Sequence, residues 1–360
     1  MGNESKFYDG TELLSKRDAE GLQPELYIVC SKVRGVGKTT FFGRMLIDKA
    51  LSGEGKFIML CRKKQDVGHV AEGILKEVLA LFYPDCSIEE KIGLSNVFSN
   101  VILVKGTGKE AIKTPIAYVI SLAACDDVKK TSSMFTDATS GWFDEFMPLR
   151  KTTFLPDEVD CFLSVAQSVA RGGGTARRYF PWYFTSNTMT INNPYFIELG
   201  LNRRIRDNTK WVKGNGYIFQ RTESTEIADE HNQSGLSRAF NGNRTIEYTD
   251  DLSWLNDNYT LIDKPSADWG SRPMYYCTLC DGPKYTYGVY FYPDVNLYYV
   301  SCKFDKSAGL CFNIKYEDLK PNVPLLKTSI YMITLREAMQ HGIIRFQTIR
   351  AKESFMNLFI

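Results

Sequence analysis

Histidine is almost missing from this chain: His69, His231 and His341 are the only three in 360 residues, and they lie far apart in sequence. That scarcity argues against histidine-ligated metal and against a histidine-activated nucleophile. Nine cysteines are present, an odd number with no framework spacing, which fits a reduced, cytosolic protein better than a disulfide-stapled one. The one CxxC, Cys277 and Cys280 with Cys302 and Cys311 downstream, falls in a strand-like run. There a spacing of three sends the two side chains to opposite faces, so a zinc site is not expected. Long apolar runs are also missing. The longest stretch, Pro115 to Cys125, is too short to span a bilayer, and the polar stretch Met1 to Glu25 lacks the apolar core of a signal peptide. The expectation is a soluble, intracellular protein with no membrane partner. Finally there is no overall excess of charge, since the net value is only +2, so no global positive field points to nucleic acid.

What is present is local. Arg171 to Arg221 holds nine Lys/Arg against two Asp/Glu, a local +7, and Thr222 to Gly270 holds ten acids against three bases, a local −7. Adjacent blocks of opposite sign suit a basic working surface beside an acidic linker, two faces that meet in an assembly, or ordinary solvated surface. A chain of this length exceeds what one core serves, and two domains are expected.

Strand and helix signals alternate through the first half. Leu26 to Cys30 and Phe57 to Cys61 read as buried strands, each followed by a helical stretch, Lys38 to Leu51 and Val67 to Phe82. Val101 to Val104, Ile116 to Leu122, a strand ending at Trp142 and Phe143, a helix from Pro156 to Ala170 and a strand from Tyr179 to Thr185 continue the pattern. The expected class is α/β, a mostly parallel sheet with helices on both faces. Beyond Leu201 the chain turns polar. The Tyr-rich run Met274 to Cys302 then reads as a β-meander, followed by a helix at Thr334 to Gln340, a strand at Ile343 to Phe346 and a helix at Thr348 to Phe359. The expected division is a larger α/β domain over 1–204, a partly helical linker over 205–250 and a smaller α+β domain over 251–360.

The strongest motif is Arg34-Gly35-Val36-Gly37-Lys38-Thr39-Thr40 between a strand and a helix. Glycines let backbone N–H groups wrap a phosphate, and the helix N-terminus adds partial positive charge. Lys38 is placed to reach the β- and γ-phosphates of ATP and the Thr39 hydroxyl to ligate Mg²⁺. The pattern departs at Lys32, where a glycine belongs. A phosphate loop asks for an acidic partner at another strand end. In Phe143-Asp144-Glu145-Phe146, Asp144 serves as the metal acid and Glu145 as general base toward water. Asp157-Glu158 and Asp229-Glu230 are the same dipeptide without that context, while Thr139-Ser140-Gly141 is less aliphatic than a buried strand should be. Tyr183-Phe184-Thr185-Ser186-Asn187 ends a strand in an amide able to reach the γ-phosphate. A plain strand-ending turn is the bland alternative.

GVGKT, then FDEF, then TSN followed by Asn193-Pro194-Tyr195-Phe196 resembles the DNA-encapsidation (genome-packaging) ATPases of small podoviruses over residues 26 to 200, more weakly in the tail around Tyr316-Glu317-Asp318-Leu319. The resemblance implies an additional-strand, catalytic-glutamate ATPase that packages double-stranded DNA. It implies a homo-oligomeric ring, read as a pentamer, on the portal of an empty prohead in the host-cell cytoplasm, with a structural packaging RNA as a further partner. It also implies an inactive RNase H-like nuclease domain at the C-terminus. Carried over by residue, Lys38 and Thr39 bind MgATP, Asp144 the metal, Glu145 the water and Asn187 the γ-phosphate. Arg171 is a trans-acting finger, Lys130 (or Lys129) a second trans-acting cation, and Lys64, in Arg62-Lys63-Lys64, faces DNA. Arg171, Arg177 and Arg178 as plain DNA-phosphate contacts remain an alternative. So do a helicase-like ATPase or nucleoside kinase, and a non-hydrolysing nucleotide-binding capsid component.

Overall fold

The structure is a computed structural model, and the residues described are 7–93, 97–148, 154–155, 157–171, 177–205, 209–223, 226–227, 235, 239, 261–270, 272–282, 285–314 and 322–356. The chain forms two compact units, Met1–Asn256 and Asp257–Ile360.

The first unit is α/β. Its strands are β1 (Leu26–Ser31), β2 (Lys56–Cys61), β3 (Cys86–Ile92), β4 (Phe98–Lys105), β5 (Ile112–Ser121), β6 (Ala138–Asp144), β7 (Trp182–Asn187), β8 (Trp211–Gly214) and β9 (Tyr217–Thr222). They form one sheet in the order β3-β4-β5-β2-β6-β7-β1-β9-β8. The middle of the sheet is parallel, and β3, β4 and β8 join antiparallel at its margins. The helices are α1 (Thr11–Ser15), α2 (Lys38–Leu51), α3 (Val70–Phe82), α4 (Cys125–Lys130), α5 (Glu158–Val169), α6 (Pro194–Glu198) and α7 (Leu201–Arg204).

Alternation along the central strands builds two cores. Tyr27 and Val29 of β1, Phe57 and Met59 of β2, Trp142 of β6 and Tyr183 of β7 pack with Phe42 and Leu46 of α2 and Leu75 of α3. Their neighbours Ile28, Cys30, Ile58, Leu60, Phe143 and Phe184 pack on the other face with Phe162, Val165 and Val169 of α5. A parallel strand covered on both faces reads as a continuous apolar run, as β1 and β2 do. The weakly aliphatic start of β6 has a packing reason: a Cβ at Gly141 would lie 2.2 Å from the Trp182 ring, so the indole takes the space a side chain would need.

Two segments correct the expected organisation. β8 and β9 lie inside the span read as linker from residue 205, yet they extend the main sheet, with β9 parallel to β1. Their two-residue connection is Asn215-Gly216, and Gly216 takes φ +77°; this is the hairpin signal the polar composition masked. The edge strand β3 was not expected, because CSIEEKI is mostly polar. Most of the remaining linker span falls outside the described residues.

The second unit holds a five-stranded sheet. β10 (Met274–Asp281), β11 (Tyr285–Tyr292) and β12 (Leu297–Ser301) form the antiparallel meander. β13 (Cys311–Asn313) lies parallel on β10 and β14 (Ile344–Phe346) parallel on β12. The helices α8 (Tyr331–Gln340) and α9 (Ile349–Met356) contribute Leu335, Ala338, Ala351 and Phe355 to the buried set. Cys277 and Cys280 are both buried on β10, with the Cys280 sulfur 3.4 Å from that of Cys311. Tyr316 to Leu319, part of the tail resemblance, lie outside the described residues.

Candidate nucleotide site

Parallel strands deliver their C-terminal ends to one edge, and here three neighbours, β6, β7 and β1, end together. β1 runs into the loop 32–37, and α2 starts at Lys38 with Gly37 as its N-cap at φ +91°. Only glycine adopts that conformation without strain. No side chain caps the helix, so its first N–H groups face outward, as an anion site requires.

Lys38 is 7% exposed. Its ammonium donates to the Ser31 hydroxyl at the end of β1 and, at 3.2 Å, to Asn187 Oδ1 at the end of β7. The Ser31 hydroxyl is itself 3.2 Å from the same oxygen. The Ser31 proton goes to the Val33 carbonyl at 2.8 Å, so Oδ1 serves the Lys38 ammonium and the Asn187 NH₂ is left to donate elsewhere. Burial pulls the Lys38 ammonium down to about 8, partly offset by the carboxylates of Asp144 and Glu145. An arriving polyphosphate would reverse that pull, since an opposite charge favours the protonated form.

Asp144 ends β6. Its carboxylate accepts from the Thr39 hydroxyl at 2.9 Å and from the Thr185 hydroxyl at 2.6 Å, and Trp142 Nε1 donates to Thr185 at 2.9 Å. Burial raises the Asp144 carboxyl above the usual range, with the two hydroxyls and Lys38 opposing and Glu145 adding. No basic side chain bonds it among the described residues. Among these residues no cluster of three or more His, Cys, Asp or Glu forms a metal cage. A hydroxyl and one carboxylate suit Mg²⁺ nonetheless, because this ion usually keeps several waters and takes phosphate oxygens besides one or two carboxylates. Zinc, which needs three or four protein ligands, does not fit this pair.

Glu145 follows at φ +48° and is exposed. A non-glycine residue in the left-handed region is strained and persists only where its surroundings hold it. Arg62, just past β2, supplies the hold. Its guanidinium grips the buried Glu158 at two points, 3.0 Å each, and donates to the carbonyls of Glu145 (3.3 Å) and Phe146. Ser186 and Asn193 bind Met147 next along.

A cavity of about 1290 Å³ gathers Arg34, Gly35, Val36, Gly37, Lys38, Thr39, Thr40, Asp144, Glu145 and Asn187. Other expected residues lie elsewhere. Lys64 and Lys130 share Asp127, at 3.3 and 3.1 Å, and Lys129 pairs with Asp126 at 3.5 Å. Arg171 is exposed just past α5, beside residues 172–176, which lie outside the described ones. Arg177 pairs with Glu25, and Arg178 donates to the carbonyls of Phe135, Thr136 and Val169. A guanidinium committed to three main-chain oxygens staples its own fold, which removes Arg178 from the set of plain phosphate contacts. Sequence reading missed Ser31, Thr185 and the Arg62–Glu158 pair. Ser31 is a single hydroxyl without a motif, Thr185 stands in the TSN run but was assigned no role, and the pair spans 96 positions.

The strand order completes the assignment. The strand carrying Asn187 is inserted between the phosphate-loop strand and the strand carrying Asp144, which makes the unit a P-loop fold of the additional-strand class. The chain belongs to the podovirus DNA encapsidation protein (Gp16) family, whose profile matches residues 2–360. It is similar in fold to a chain of the bacteriophage Phi-29 viral genome packaging motor assembly, at 18% identity and a TM-score of 0.66, covering 98% of this chain and 100% of that one. It is also similar to the Phi-28 gp11 DNA packaging motor, at 17% identity and a TM-score of 0.55, covering 98% and 97%. No curated protein sequence matches it. Among the described residues no helix is long and apolar enough to cross a membrane.

Proposed function

We propose that this protein hydrolyses ATP with Mg²⁺ and uses the energy to move double-stranded DNA into a preformed capsid. The observation that carries the chemistry is the meeting of Lys38, Thr39, Asp144, Glu145 and Asn187 at one cavity edge. Membership of the encapsidation family carries the substrate. Lys38 leaves Ser31 and Asn187 to hold the β- and γ-phosphates, and the N–H groups of the loop and of the α2 start cradle their oxygens. Thr39 and Asp144 would hold the Mg²⁺, which neutralises charge developing on the phosphate oxygens. Glu145 accepts the proton of the attacking water, and the Asn187 NH₂ donates toward the γ-phosphate. Arg171 and Lys130 (or Lys129) act on the ATP of a neighbouring subunit, and Lys64 contacts DNA in the ring channel.

The assembly is read as a homo-oligomeric ring, a pentamer, on the portal vertex in the host-cell cytoplasm, with a packaging RNA as a further partner. The second unit is read as a nuclease-like domain that does not cut. The test is ATP turnover by the purified protein with and without duplex DNA and empty capsids. Stimulation by long duplex DNA supports the motor, whereas stimulation only by a small acceptor contradicts it.

A further inference from the structure

The cavity is larger than its phosphate chemistry requires. At about 1290 Å³ it exceeds the ~300–1,000 Å³ of pockets that hold whole drug-sized ligands. Past the phosphate loop its wall continues onto Phe7, Tyr8, Asp9 and Thr11, and along α2 to Phe41 and Arg44. That wall is where the nucleoside end of a bound nucleotide has room to lie.

The segment before α1 is fastened to the phosphate loop. The Tyr8 N–H donates to the Val36 carbonyl at 2.7 Å, and the Tyr8 hydroxyl donates to Gln220 Oε1 on β9 at 2.9 Å. The Tyr8 ring packs on Phe41 and Phe42, at 5.7 and 6.1 Å between centroids. Gly10 sits so close to Phe41 that a Cβ there would lie 2.4 Å from its ring. Asp9 accepts from the Thr11 N–H (2.9 Å) and hydroxyl (2.6 Å), which fixes the entry to α1. One residue earlier, the Phe7 Cβ lies 3.4 Å from the point where Gly37 would carry a side chain. Phe7 is nevertheless 57% exposed, while Phe42 is fully buried. A phenyl ring that lines the cavity beside the loop glycine offers a stacking surface, since every base has a π-face.

We infer that Phe7 is the base-stacking residue of the nucleotide site, carried on a segment that Tyr8 locks to the phosphate loop. This rests on the ATPase reading above. Stacking favours larger rings, so purine nucleotides bind ahead of pyrimidine ones, and the preference narrows without the phenyl group.

The test is equilibrium binding of ADP and of inorganic tripolyphosphate, which has no base, to the full chain and to Phe7→Ala and Phe7→Trp. Loss of one stacked base corresponds to roughly a 5- to 150-fold weakening. The expected result is that Phe7→Ala weakens ADP by that factor and leaves tripolyphosphate within twofold, while Phe7→Trp keeps ADP binding. Unchanged ADP binding by Phe7→Ala overturns the inference. Equal weakening of both ligands also overturns it, because the segment would then only prop the loop. Failure of the unmodified chain to bind either ligand instead overturns the nucleotide-site reading itself.

Discussion

Asp144 and Asp281 each end a strand, β6 in the first unit and β10 in the second, and each is drawn into its own unit, but they are satisfied by opposite means. Asp281 is 4% exposed. It accepts from the Arg350 guanidinium at 3.1 Å and from the Ser354 hydroxyl at 2.5 Å, both on α9, with Tyr287 close behind at 3.1 Å from Ser354. Arg350 also lies over the Tyr285 ring at 4.6 Å. The cation that neutralises this carboxylate is therefore part of the protein. Among the described residues Asp144 accepts only from neutral hydroxyls and its neighbour's N–H, and burial raises its carboxyl, with the charge of Lys38 opposing without bonding it. A carboxylate left short of positive charge at a cavity edge is poised for a cation from solution, whereas one with an internal arginine serves structure.

The comparison can be broken most sharply at Arg171, the residue proposed to act on a neighbouring subunit. Arg171→Ala should lower ATP turnover by about 10³–10⁵-fold if the arginine completes a neighbour's site. Mixing it with Lys38→Ala subunits should restore part of that, because a mixed interface has one intact loop and one intact finger. If Arg171→Ala instead keeps basal ATPase without DNA and loses only salt-dependent DNA affinity, it is a phosphate contact. Next in size is Glu145→Gln, expected to bind nucleotide normally and to turn over ~10²–10⁴-fold more slowly. Near-normal hydrolysis by this variant would remove Glu145 as the base.

In the second unit the expected effect is on stability. Arg350→Ala leaves Asp281 buried without its cation, which in buried pairs costs about 3–5 kcal/mol, nearer the lower figure here because Arg350 is 22% exposed. Denaturant unfolding of the full chain, following the transition of the second unit, should register that loss. No change would mean Asp281 is satisfied some other way. The same internal pairing predicts no Mn²⁺-dependent cleavage of plasmid DNA, and cleavage lost on Asp281→Asn would contradict the structural role.

How much of this could be read from the residues differs between the same two regions. The loop was legible because strand, glycine turn and helix are neighbours in sequence, and Asp144, Glu145 and Asn187 because each stands at the end of a short strand-like run. The helix expected at Lys38 to Leu51 is α2, with the same ends. What holds those residues was not legible. Ser31 and Thr185 look like ordinary strand residues, Arg62 reads as part of a basic run, and Glu158 as a chance acid after Asp157. Only the topology, with β2, β6 and α5 adjacent, brings Arg62 to Glu158. The meander β10–β12 was visible from its tyrosines, while the three-residue β13 carries too little pattern to see. The Asp281–Arg350 pair spans 69 positions and has no local signature.

The most direct test is ATP turnover as a function of Mg²⁺ for Asp144→Asn beside Asp281→Asn. If the carboxylates divide as described, Asp144→Asn loses turnover and the Mg²⁺-dependent gain in nucleotide affinity, while Asp281→Asn keeps the Mg²⁺ response of the unmodified protein. Normal Mg²⁺-dependent hydrolysis by Asp144→Asn, or loss of that response in Asp281→Asn, would contradict the account.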